Sequence, residues 1–130
     1  MIDVEVYMDW SANNDMSDET CWTFITKVAL EVFGIELPTL KNQESIFALE
    51  KEVLKQQELT GNWKEVTDPK CGDVILLLLG GRRPHVGIMV DANSFLHFSE
   101  SDKMVKCDSP GALNWRNRID GFYRHRTCCI

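Results

Sequence analysis

A chain of 130 residues, 44% hydrophobic and 26% charged, is sized for one domain, 1–130, with a buried core; its composition excludes disorder over most of its length. A formal charge of -6 leaves no basic footprint for phosphate contacts, so nucleic acid is not an expected partner. Five cysteines, an odd number without the spacing of a secreted disulfide framework, read as reduced thiols.

In chain order, Ile2, Val4 and Val6 alternate with Asp3, Glu5 and Tyr7, which predicts a short edge strand or an extended arm. Acids precede any basic residue here, so neither a signal peptide nor a membrane anchor is expected, and no apolar run approaches a membrane span. The chain is expected to stay in the cytoplasm where it is made unless carried out. Asp9 to Glu19 reads as a polar loop, with Ser17 and Asp18 as ready N-caps. Cys21 to Phe33 carries Trp22, Ile25, Val28, Ala29, Val32 and Phe33 at helical spacing, and Gly34 followed by Pro38 ends that helix. Asn42 or Ser45 caps a second helix over Glu44 to Gln57, with Ile46, Leu49 and Val53 inward.

The second half of the chain predicts strands. Trp63 to Val66 leads into Gly72-Asp73, and Val74 to Leu79 is an unbroken apolar run whose two faces should both be covered. Arg82-Arg83-Pro84 makes a polar connection, solvated or binding an acidic substrate group, and His85 to Val90 is the next strand. Asp91 to Ser94 turns the chain back into Phe95 to Phe98, so that His85 and His97 face each other across adjacent strands. Met104 to Cys107 is a further strand, Ser109 to Gly111 a turn, and Ile119 to Arg124 the last strand. The Cys21 helix packed on this antiparallel sheet makes an α+β fold.

A thiol in the first turn of a helix meets the positive end of the macrodipole and free backbone N–H groups, which favour the thiolate. An imidazole beside it would complete a nucleophile and base, and a second polar residue would orient the ring. The Cys21 helix, Gly72-Asp73 opening a strand, His85-Val-Gly-Ile88 and Phe95-Leu-His97 follow one another in an order that resembles the NlpC/P60 cysteine peptidases. The resemblance runs from about Trp10 to His125. It is nearest the short phage-tail (tail-tip assembly) branch, through Cys21-Trp22 after an acidic segment and a terminal Arg-containing strand. It implies a papain-like core with catalytic Cys21, His85 and His97, no cofactor, and hydrolysis of amide bonds in peptidoglycan stem peptides. It also implies tail-tip proteins as partners and a place on a virion. A catalytically inactive tail-tip or assembly protein, and an exported cell-wall amidase toxin, remain alternatives.

The chain departs from the family's pattern in the loop before the cysteine. Trp10-Ser11-Ala12 stands in place of Trp-Gly-Gly, Met8 falls near the tyrosine slot, and Thr20 replaces an aspartate. These changes bear on recognition of a substrate amine more than on the nucleophile. His125, Cys128 and Cys129 lack the paired Cys-x-x-Cys spacing of a zinc site, so no metal is expected there, and Cys71 and Cys107 read as structural thiols.

Overall fold

The computed structural model describes residues 2–37, 61–80 and 83–126. The expected second helix over Glu44 to Gln57, Arg82 and the Cys128-Cys129 tail lie outside these residues. Two helices, α1 (Val4–Ala12) and α2 (Cys21–Phe33), precede six strands: β1 (Trp63–Val66), β2 (Val74–Leu79), β3 (Arg83–Met89), β4 (Phe95–Ser99), β5 (Met104–Asp108) and β6 (Ile119–His125). The strands form one antiparallel sheet in the order β1-β6-β2-β3-β4-β5. This is the expected α+β arrangement of N-terminal helices on an antiparallel sheet, consistent with a papain-like core.

The apolar run of β2 lies between β6 and β3, with Val74 to Leu77 buried. Alternation along the central strands separates two cores. Val74, Leu76, Val86, Ile88, Leu96 and Phe98 pack with Phe24, Ile25 and Val28 of α2. Ile75, Leu77, Met89 and Phe95 form a second cluster with Trp115.

The N-terminus differs from the strand or arm expected of it: residues 4–12 are helical. Asp3 caps this helix by accepting from the Val6 N–H, and Ile2 and Tyr7, at the positions of a hydrophobic staple, are both buried. These local bonds outweigh the β-branched alternation. The Tyr7 hydroxyl donates to Glu31 on α2 at 2.9 Å. The Ser11 hydroxyl donates to the Met8 carbonyl and accepts from the Val105 N–H, both at 3.0 Å, pinning α1 to β5. The serine thus holds the first helix to the edge of the sheet. The cap of α2 also differs from expectation. Thr20, rather than Ser17 or Asp18, accepts from the Thr23 N–H in a capping box, which makes Cys21 the first helical residue.

Asp73 is fully buried and takes Arg124 in a two-pronged bond (Nε 2.8 Å, Nη2 2.7 Å), with the Lys70 N–H at 2.8 Å. The Gly-Asp start of β2 and the arginine of β6 are therefore one structural pair that locks the middle of the sheet.

Gly87 on β3 lies close against β4. A Cβ there would lie 2.8 Å from the Leu96 carbonyl oxygen and 2.9 Å from the Phe95 ring. Gly87→Ala is expected to cost about 2–3 kcal/mol by overpacking. The denaturant midpoint should fall with an unchanged slope; an unchanged midpoint would show that β4 can move aside.

Candidate active site

β3 and β4 pair Gly87 with His97, so His85, two residues before Gly87, shares a face with His97 and lies diagonally from it. The rings meet edge to face, with His85 Nε2 and His97 Nδ1 2.8 Å apart. One strand further, β5 pairs Lys106 with His97, and Asp108 repeats the same diagonal step. Its carboxylate lies 2.6 Å from His97 Nε2. Sheet register thus lines up His85, His97 and Asp108 in a row. Trp115 stacks on His85 and meets His97 edge-on, walling the pair off from water.

The hydrogen bonds fix the tautomers. A carboxylate only accepts, so His97 carries its proton on Nε2 and presents a bare Nδ1. His85 must then donate through Nε2, which leaves Nδ1 as its basic nitrogen.

Cys21 arrives from the other side, at the start of α2. Its sulfur, a ring nitrogen of His85 and a Glu100 carboxylate oxygen all lie within 4.8 Å of one another. The backbone N–H groups of Val86 and Trp22 also favour the charged form of the sulfur. Cys21, His85 and His97 are buried, while Glu100 is half-exposed. The structure therefore gathers all three sequence-derived site residues and adds two that sequence reasoning missed, Asp108 and Glu100. Asp108 lies one residue past the strand expected over Met104 to Cys107; alternation continued one step would have placed it on the His97 face.

The thiol shifts against the sequence expectation of a favoured thiolate. Burial, then the Glu100 negative charge, push the Cys21 thiol up to about 12, against the pull of the two N–H groups. Burial, then His97, push His85 down to about 3. His97 is also lowered by burial, with Asp108 opposing. The helix start acts in the expected direction but is outweighed by desolvation. Both shifts favour the uncharged forms, a thiol beside an imidazole.

Since only the thiolate alkylates, the Cys21 rate should be slow in mild acid and keep climbing with pH past about 9.5, roughly a unit above the ordinary thiol pKa of about 8.5, where an ordinary thiol levels off. Glu100→Gln removes the negative neighbour, so the profile should move to lower pH. Iodoacetamide labelling, located by peptide mass, reads both; fast labelling of Cys21 at pH 6 would contradict the neutral pair.

Among the described residues, Cys21, His85 and Glu100 form a set able to hold a metal ion, and the thiols of Cys21, Cys71 and Cys107 are not in disulfides. No described helix is long and apolar enough to cross a membrane.

Comparison with known proteins agrees with this arrangement. The murein DD-endopeptidase MepS/murein LD-carboxypeptidase of Escherichia coli, in each of three strains, is 26% identical over 123 residues, covering 90% of this chain. The chain spans 58% of the length of these relatives. Cys21 and His85 are placed like the dyad of a cysteine peptidase. The family model described as the NlpC/P60 family matches residues 7–124, nearly the whole chain and every residue of the cluster around Cys21. This protein belongs to the NlpC/P60 family.

Proposed function

We propose that the protein is a cysteine peptidase that hydrolyses amide bonds in peptidoglycan stem peptides, with Cys21 as nucleophile, His85 as base and His97 as orienting partner. The observation that carries this reading is the ordered row from Cys21 through His85 and His97 to Asp108, inside a chain of this family. The name of the E. coli relatives, a murein endopeptidase, supports the substrate class.

With both groups neutral at rest, proton transfer accompanies attack. Cys21 Sγ bonds to the carbonyl carbon as its proton passes to His85 Nδ1, and negative charge develops on the carbonyl oxygen. Backbone N–H groups at the start of α2 would stabilise that oxygen. His85, now charged, is held by His97, whose far side is bonded to Asp108. The C–N bond breaks as His85 returns the proton to the leaving amine, which leaves a thioester. Water then attacks, His85 takes a proton from it, and the C–S bond breaks to release the acid and restore the thiol.

Purified peptidoglycan incubated with the protein should yield stem-peptide fragments with new amino and carboxyl ends by mass spectrometry. Undigested peptidoglycan would overturn the activity. It would favour a tail-tip or assembly protein without turnover, a reading that draws on the neutral thiol beside Glu100.

We place the protein on a phage tail, carried on the virion with tail-tip proteins as partners, with an exported cell-wall amidase toxin as the other possibility. The support is the likeness of Cys21-Trp22 and the Arg124 strand to the short phage-tail branch. Co-purification with tail particles, or with a secretion complex, separates the two.

A further inference from the structure

Beside the nucleophile and its base the fold sets a carboxylate, Glu100, that peptide hydrolysis does not require. The sulfur comes from the start of α2, the His85 ring nitrogen from β3, and the Glu100 carboxylate from the β4–β5 connection, all within 4.8 Å of one another. We propose that these three side chains bind a divalent cation of the zinc class, with the fourth position open to water, and that the bound ion holds the nucleophile inactive. The inactivation rests on the peptidase reading above; the binding does not.

Three features support it. The donors are of the types zinc takes, and three protein ligands with an open position is a common zinc arrangement. Zinc bonds of about 2.0–2.3 Å keep tetrahedral ligands about 3.5 Å apart. The cluster need contract by only about an ångström, and Glu100, half-exposed in the turn after β4, has the freedom to make that move.

The second feature lies behind the histidine. A ligating imidazole normally donates its other N–H to an acceptor that fixes the ring, and the row His85–His97–Asp108 supplies this with bonds of 2.8 and 2.6 Å. His85 Nδ1 is thereby turned out as a lone pair, ready for a proton or a metal. The third feature is charge. Metal binding releases the Cys21 proton to solvent, and the dication then lies between the thiolate and the Glu100 carboxylate and neutralises both.

Cobalt(II) is the probe, used with the full chain carrying Cys128→Ser and Cys129→Ser so that tail thiols do not contribute. One cobalt per chain should bind with a near-ultraviolet thiolate-to-metal absorption band, which zinc should abolish by displacement. The band should be missing in Cys21→Ser, and Glu100→Gln should weaken zinc binding by at least about tenfold, since a ligand is lost. Zinc should inhibit peptidoglycan hydrolysis, with chelation restoring it and Glu100→Gln shifting inhibition by the same factor. A band that survives Cys21→Ser, no band at all, or equal zinc affinity in Glu100→Gln would overturn the site. Because the band is read without turnover, an inactive protein that still shows it would fail only the peptidase reading.

Discussion

Replacing Cys21 with alanine is expected to lower peptidoglycan peptide hydrolysis by at least about 10³-fold, to background, while the chain still folds. The sulfur forms the covalent bond, and Cys21 lies within 4.8 Å of a His85 ring nitrogen. Loss of one buried sulfur costs at most about 1–2 kcal/mol of packing, so far-ultraviolet circular dichroism and the denaturant midpoint should stay close to the parent's. Full activity in Cys21→Ala would end the assignment of the nucleophile.

The second large effect separates the two histidines. His85→Ala should cost about 10³-fold, because His85 takes and returns the proton at every step. His97→Ala should cost nearer tenfold to a hundredfold, because His97 holds the ring without itself exchanging a proton with substrate. Asp108 acts one bond further out, fixing the tautomer of His97. Asp108→Asn keeps an acceptor there and should be milder than Asp108→Ala, which lets the His97 ring turn. Equal losses at His85 and His97, or a larger one at His97, would mean that the proton passes through the second ring.

Much of this site was legible in the sequence because it lies on strongly patterned elements. The apolar run Val74 to Leu79, the turn at Asp91 to Ser94 and the parity of residues on either side of it were enough to put His85 and His97 on one face. The helical spacing after Cys21, ended by Gly34 in the left-handed conformation, placed the thiol at a helix start. What escaped depends on contacts between distant parts of the chain. Ile2 to Tyr7 alternate like a strand and Asp9 to Ala12 read as part of a polar loop, but the local Asp3 cap together with the distant bonds of Tyr7 to Glu31 and of Ser11 to Val105 makes residues 4–12 helical. Glu100 stands in a polar loop, and nothing in its neighbours shows that it meets Cys21. The direction of the thiol shift was missed for the same reason: the helix-start effect is local and visible in sequence, whereas desolvation and the Glu100 charge arise only once the fold is closed.

The most direct measurement traps the acyl-enzyme. Protein mixed with soluble stem peptides and quenched in acid within a turnover should carry a thioester adduct. Peptide mass mapping should place it on Cys21, with the mass of the acyl half of the substrate, and it should be absent in Cys21→Ala. Cleavage without any adduct on Cys21, or an adduct on Cys71 or Cys107 instead, would contradict covalent catalysis by Cys21.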